Sequence, residues 1–185
     1  CALPIYRNTI ELAGYSWRPT DVTGRGIHVG CTQATTTLTN IQVYKNTLKN
    51  CRWGLSEETS AGTVSGIVFS GNIATTDRTP ANGRGIFVSG SVLFHSNIIS
   101  GYTYGAYYYG SSVATTRKLH SNTFVNVVSG IGEDGTAGTI ETRNNFYWHT
   151  GQWSEWIGGN CTRDHQYNAI RANGGSVTTG LTRSE

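Results

Sequence analysis

The sequence repeats one short pattern at FSGNIA (69–74), FHSNII (94–99) and LHSNTF (119–124). In each copy an asparagine stands three residues after a bulky apolar residue and two residues before another apolar one. The pattern extends in both directions and aligns seven asparagines: Asn8, Asn46, Asn72, Asn97, Asn122, Asn145 and Asn168. Their successive intervals are 38, 26, 25, 25, 23 and 23 residues. Recurrence at a nearly constant interval is typical of a repeat architecture.

A second landmark is a glycine that opens a strand-like segment. It lies eight residues after three of the asparagines, at Gly54, Gly105 and Gly130, and related segments GRGIHV (24–29) and GRGIFV (83–88) follow longer insertions. Alternating apolar and polar residues around both landmarks predict about three short strands per repeat. One such repeat cannot bury its own apolar face, so we expect the repeats to stack as successive coils.

Asparagine at the same turn of each coil has a physical reason. Its side-chain amide both donates and accepts hydrogen bonds, so stacked asparagines form a ladder. Asparagine also tolerates the left-handed backbone of a tight turn, and glycine suits the next corner for the same reason. We therefore expect Asn97, between Asn72 and Asn122, to be buried and hydrogen-bonded to both neighbours.

These motifs resemble the right-handed parallel β-helix of the pectate-lyase-like superfamily, which includes polygalacturonases and bacteriophage tailspikes. The shared features are the Asn turn, the Gly-opened strand and coils near 25 residues. The resemblance implies an all-β, single right-handed parallel β-helix of about six to seven coils with an Asn ladder. We predict that it spans residues 1–173, as part of a longer chain, and that 174–185 form a polar tail.

The abundant Thr, Gly and Tyr and the low charge make the chain most similar to a tailspike fragment. The resemblance then implies a domain that binds and degrades a bacterial surface polysaccharide, as a glycoside hydrolase or polysaccharide lyase. It also implies a homotrimer in a virion tail, or alternatively a secreted bacterial protein. The competing interpretation is a non-catalytic receptor-binding or structural rod of a tail or adhesin protein, because one fold hosts many functions.

Composition excludes several other classes. Only 14% of residues are charged and the net charge is +3 without a Lys/Arg cluster, whereas nucleic-acid readers concentrate basic residues in a patch. No apolar run approaches the roughly 18 to 20 residues that span a bilayer, so we predict no membrane insertion. The cysteines form no CxxC pair, which argues against zinc, and their spacing leaves disulfides undecided; they are Cys1, Cys31, Cys51 and Cys161. We predict no metal and no cofactor.

The first candidate site lies on the outward face of the Gly-opened strands. Counting outward from each glycine gives an aromatic row, with larger side chains at the nearby corner: Phe87, Tyr107 and Tyr109, then Trp53, Arg84 and Tyr104. Aromatic rings with a few polar groups suit the faces of sugar rings. The flanking carboxylates Glu58 and Asp134 are candidate catalytic groups, although three rungs separate them by roughly 14 Å, too far for one hydrolytic pair. The alternative is that these rings only cover a solvent-facing sheet.

Glu57 and Glu133 would point inward by strict alternation, where an unpaired charge is costly. We therefore expect both side chains to leave the strand for a loop.

The second candidate site lies on the outward face of the strands that precede each asparagine. Glu141 and Asp164 fall on adjacent rungs, about 5 Å apart. Two carboxylates that close repel, so the pKa of one should rise, as an acid/base pair requires. Lys118, His120 and Arg143 lie beside them and are candidate ligands of an acidic sugar. The alternative is an ordinary ladder of surface charges.

Overall fold

A computed structural model describes residues 4–11, 24–31, 35–59, 62–77, 83–109, 115–134, 138–157 and 162–172. These residues contain twenty β-strands in three sheets, and every strand pair is parallel. Sheet A contains, in spatial order, β1 (Pro4–Tyr6), β5 (Gln42–Tyr44), β9 (Ile67–Ser70), β12 (Val92–His95), β15 (Thr115–His120), β17 (Gly138–Arg143) and β19 (Thr162–Gln166).

Sheet B carries the two other strands of each coil. One end of its order comprises β2 (Thr9–Glu11), β6 (Thr47–Lys49), β10 (Ile73–Thr75), β13 (Ile98–Ser100) and β16 (Thr123–Asp134). From β16 it continues through β14 (Tyr104–Tyr109), β11 (Arg84–Val88), β7 (Trp53–Thr59) and β3 (Arg25–Cys31), while β18 (Phe146–Ile157) pairs with β16 and with β20 (Ala169–Ala172). Sheet C is the pair β4 (Thr37–Thr39) and β8 (Thr63–Ser65).

The chain is thus an all-β, right-handed parallel β-solenoid, as the sequence predicts. The number of coils is about four rather than the predicted six to seven. The four run from Asn46 to Asn145, and each returns to a hydrogen-bonded ladder position one rung further on. Asn8 and Asn168 extend the hydrogen-bonded ladder at its two ends. The predicted tail at 174–185 lies outside the described residues.

The asparagine ladder is confirmed. The Nδ2 of Asn97 donates to Oδ1 of Asn122 and to the carbonyl oxygen of Phe69, both at 3.0 Å. Its own Oδ1 accepts from the backbone N–H and from Nδ2 of Asn72, both at 2.9 Å. Asn97 is 1% exposed, so these groups have no access to water as an alternative partner.

The left-handed backbone does not occur at the ladder asparagines, contrary to the prediction. It occurs at the residue before each ladder asparagine, with φ between 54° and 60°: Arg7, Lys45, Gly71, Ser96, Ser121, Asn144 and Tyr167. The ladder asparagines are therefore required for their amides and not for a tolerance of positive φ.

Glycine at the next corner also has a different reason from the predicted one. Gly54, Gly85 and Gly105 are not in the left-handed region. Instead, a Cβ on each would lie 2.6, 2.8 and 2.7 Å from the carbonyl oxygen of the glycine one coil further on. The coils approach so closely at this corner that no side chain fits.

The core lies inside the coils and is built from rows of equivalent residues. One row consists of the residues after the corner glycines, and all five are at most 5% exposed: Ile27, Leu55, Ile86, Ala106 and Ile131. Aromatic rings on successive coils stack, with centroids 4.6 Å apart for Phe69 and Phe94 and 4.8 Å for Phe124 and Tyr147. Cys51 is buried in the same core.

Candidate functional site

Six residues of sheet B form the arginine–aromatic cluster: Trp53, Arg84, Phe87, Tyr104, Tyr107 and Tyr109. The strand register brings them together, because Trp53 lies opposite Arg84 and Phe87 opposite Tyr107. The ring centroids of Trp53 and Phe87 are 4.7 Å apart, and those of Phe87 and Tyr109 are 5.8 Å apart. The guanidinium carbon of Arg84 lies 4.7, 4.9 and 4.0 Å from the ring centroids of Trp53, Phe87 and Tyr107. These are cation–π distances.

The outward direction predicted for this row agrees with the register, but the row is not an open platform. Phe87 is 2% exposed and Tyr107 is 7% exposed, because Arg84 and the neighbouring rings cover them. Tyr109 is 46% exposed and lies against Phe87. A ligand at this face would therefore reach the ring of Tyr109 but not the buried rings of Phe87 and Tyr107.

The two carboxylates predicted at this face have different surroundings. Glu58 forms an ion pair of 2.5 Å with Arg25, whose guanidinium also lies 4.8 Å from the ring centroid of Trp53. Asp134 lies opposite Tyr109 in the register, and its side chain is outside the described part of the structure. The strands of Glu58 and Asp134 are separated by β11 and β14, in agreement with the wide separation predicted.

His28 borders the cluster through Arg25. A guanidinium nitrogen of Arg25 lies 2.9 Å from Nδ1 of His28, and the hydroxyl of Ser56 lies 3.0 Å from the same nitrogen. Burial and the neighbouring Arg25 lower the pKa of His28, against a smaller raising effect of Glu58. His28 is therefore neutral at neutral pH and adds no positive charge beside Arg25.

The second predicted group is also brought together, on the outward face of sheet A. Lys118, Glu141 and Asp164 occupy one row, and His120 and Arg143 occupy the next. Glu141 Oε1 lies 2.8 Å from His120 Nε2 and 3.0 Å from Arg143 Nε, and its Oε2 lies 3.6 Å from Lys118 Nζ. Arg143 also contacts Asp164 at 2.9 Å, so it bridges the two carboxylates.

This bridge changes the predicted chemistry of the pair. Hydrogen bonds from Arg143 and then from Gln166 lower the pKa of Asp164, whereas repulsion from Glu141 was expected to raise one of the two. The same hydrogen bond raises the pKa of Arg143. Asp164 is therefore held as a carboxylate. The register shows that Glu141 and Asp164 are neighbours, but it does not show that the guanidinium of Arg143 contacts both of them and offsets their repulsion.

Glu57 does not leave its strand, contrary to the prediction. It is 0% exposed, and its Oε2 accepts hydrogen bonds from the backbone N–H of Ser89 at 3.2 Å and of Gly90 at 2.6 Å.

Arg117 is also 0% exposed, and the sequence reasoning did not single it out. The sequence feature that could have indicated its burial is its position in the inward row of sheet A, opposite Val92 and Ile140. For Glu133 the side chain lies outside the described part of the structure.

No group of three metal-binding side chains occurs in the described part of the chain. The described residues also contain no helix long and apolar enough to cross a membrane.

No protein-family model matches the sequence, and no curated protein or solved structure is significantly similar to it. What the fold defines is a class: a parallel β-solenoid whose coils are joined by an asparagine ladder.

Proposed function

We propose that the chain is a polysaccharide-binding β-helix of pectate-lyase-like type, most similar to a phage tailspike, that recognises a bacterial surface glycan. The observation that carries the proposal is Tyr109, a ring that is 46% exposed beside the buried rings and the guanidinium of the arginine–aromatic cluster. An exposed ring offers a flat apolar surface to the C–H face of a sugar. The homotrimer and the setting in a virion tail, or in a secreted bacterial protein, belong to the same proposal.

The scaffold pre-organises the arginine–aromatic cluster. Each strand of the cluster is hydrogen-bonded to a strand of the next coil, so the side chains are held at a fixed spacing before a ligand arrives. A pre-organised surface loses little conformational entropy on binding, which improves affinity.

Binding without cleavage fits the described carboxylates best. Glu58 is paired with Arg25, and Glu141 contacts Lys118, His120 and Arg143. A glycosidase needs one carboxyl group that keeps its proton near the working pH, with the other as base or nucleophile. Asp164, with its lowered pKa, does not meet that need as the acid.

Degradation of the glycan is the second candidate, and the contact between His120 and Glu141 favours it. Nε2 of His120 lies 2.8 Å from Oε1 of Glu141, and 28% of the His120 side chain is exposed. An imidazole oriented by a carboxylate is a common general base. We include Asp134 with Glu141 among the candidate catalytic residues.

The experiment that separates these functions is incubation with a panel of purified capsular polysaccharides and O-antigens. Binding is measured by retention on the immobilised glycan, and cleavage by size-exclusion chromatography of the products. Retention without fragments supports the binding function. Fragments that disappear in His120→Ala, Glu141→Ala or Asp134→Ala would establish an enzyme, and no retention on any glycan would favour the structural rod.

Removal of the exposed ring provides a sharper prediction. Tyr109→Ala is expected to weaken binding about tenfold, or about 1.4 kcal/mol, because the contact between ring and sugar is lost. The matched control is Tyr6→Ala on sheet A, where Tyr6 is 47% exposed and stacks on Tyr44 at 5.2 Å. Its Kd should stay within about twofold of the wild-type value. Equal weakening by both substitutions would contradict the assignment of the site to this cluster.

A further inference from the structure

Two oppositely charged side chains in the interior converge on one corner of the solenoid, Ser89–Gly90, directly after β11. Glu57, from the preceding coil, accepts hydrogen bonds from both backbone N–H groups of this corner. Arg117, on a strand of the following coil, donates from Nη2 to the carbonyl oxygen of Ser89 at 3.1 Å. Both side chains are 0% exposed.

The corner is shaped for this arrangement. A Cβ at Gly90 would lie 2.7 Å from Oε1 of Glu57, so any larger residue would displace the carboxylate. A hydrogen bond to a carboxylate is shorter and stronger than one between neutral groups, and the 2.6 Å contact from the Gly90 N–H is very short for an N–H···O bond. The two charges therefore hold the backbone of the corner from opposite sides.

The strands held in this way are those that carry the arginine–aromatic cluster. Glu57 lies on β7 with Trp53, and the corner ends β11, which carries Arg84 and Phe87. The guanidinium carbon of Arg117 lies 6.0 Å from the ring centroid of Tyr108, which stands between Tyr107 and Tyr109 on β14. One buried group of contacts thus reaches all three strands beneath the surface that we assign to the glycan.

We propose that Glu57 and Arg117 are positioning residues that set the relative placement of β7, β11 and β14, and with it the shape of the arginine–aromatic cluster. Both side chains are 0% exposed, so Glu57 acts through the backbone of the corner, and Arg117 acts through that backbone and through Tyr108. The role of Glu57 and Arg117 in glycan binding rests on the proposed function, whereas their effect on the shape of the arginine–aromatic cluster does not. An apolar pair in their place would fill the interior but leave the Gly90 N–H without the carboxylate, whereas the Ser89 N–H would keep the backbone carbonyl oxygen at position 57, 3.2 Å away.

The test is NMR spectroscopy of the isotope-labelled full chain, with Glu57→Gln compared with Val43→Ala, a buried core change in β5 whose register partners are Ile5 and Phe69. In Glu57→Gln the Gly90 amide proton should lose the low-field shift of a hydrogen bond to a carboxylate. The side-chain protons of Arg84, which lie against three rings, should move towards unstacked values. Val43→Ala should lower the melting temperature while both signals stay in place, because a general loss of stability does not reshape the cluster.

Arg117→Lys provides a second variant, since lysine keeps the charge but loses the planar guanidinium; it should shift the Arg84 signals. If Glu57→Gln does not fold, the double variant Glu57→Gln/Arg117→Met is measured instead, with the same expectation. Unchanged Arg84 signals in the folded variants would overturn the proposal.

If the wild-type chain binds a polysaccharide of the panel, Glu57→Gln should raise the Kd for that polysaccharide about tenfold. Absence of wild-type binding would count against the proposed function alone, because the Arg84 signals are measured without ligand.

Discussion

Asn97→Ala is expected to lower the free energy of unfolding by about 3 kcal/mol, because the substitution leaves several buried groups without partners. The backbone N–H and Nδ2 of Asn72 lose their shared acceptor, and the carbonyl oxygen of Phe69 loses a donor. At about 2–4 °C per kcal/mol for a chain of this size, the melting temperature should fall by roughly 6–12 °C. Thermal unfolding followed by circular dichroism measures this.

The matched control is Asn8→Ala, which deletes the same amide at the exposed end of the ladder. Nδ2 of Asn8 donates to Oδ1 of Asn46 and to the carbonyl oxygen of Tyr6, and no described coil lies before it. Water can replace these partners, so the loss should be at most about 1 kcal/mol. Equal losses at the two positions would show that burial in the ladder is not the source of the stability.

A larger loss is expected for Gly101→Ala. Gly101 has a φ of +82°, and an added Cβ would overlap the carbonyl oxygen of Thr76 on the preceding coil. The side chain therefore meets two penalties, a strained backbone and a collision with backbone that cannot rotate away. Together they should cost about 4 kcal/mol or more, measured by denaturant unfolding.

Gly71→Ala separates the two penalties. Gly71 has a φ of +60°, but the nearest atom to an added Cβ is Cγ of Lys45 at 3.9 Å. The equivalent corner in other coils holds residues with side chains, such as Lys45 and Ser96, at nearly the same φ. The cost should be about 1 kcal/mol. A loss at Gly71 as large as that at Gly101 would mean that positive φ, and not the close approach of coils, dominates.

The architecture was predictable from the sequence because a solenoid repeats its local rules. One asparagine in each coil aligns the strands on either side, so residues at equal offsets become neighbours. This placed Glu141 beside Asp164 and Phe87 beside Tyr107 correctly.

The hydrogen-bond and ion-pair partners of the side chains were less predictable than whether a side chain points inward or outward. Strict alternation turns Glu57 inward, but we expected its side chain to leave for a loop, because the sequence does not reveal that the N–H groups of Ser89 and Gly90 receive its carboxylate. It showed that Glu141 and Asp164 are adjacent, but not that Arg143 would bridge them. Alternation follows from backbone geometry alone, whereas hydrogen bonds and ion pairs depend on side-chain reach and on corner shape.

The register of the coils determines every surface assigned above, and disulfide trapping tests it directly. Leu93 and Lys118 are opposed on adjacent strands of sheet A, whereas His120 lies two residues further along and opposes His95. Adjacent parallel positions are about 4.8 Å apart, within the usual Cα separation of a disulfide, and an offset of two residues increases this to roughly 8 Å. Under mild oxidation, Leu93→Cys/Lys118→Cys should form the cross-link, detected by mass spectrometry of the linked peptides, while Leu93→Cys/His120→Cys should stay reduced. Preferential cross-linking of the second pair would contradict the register and, with it, the arginine–aromatic cluster.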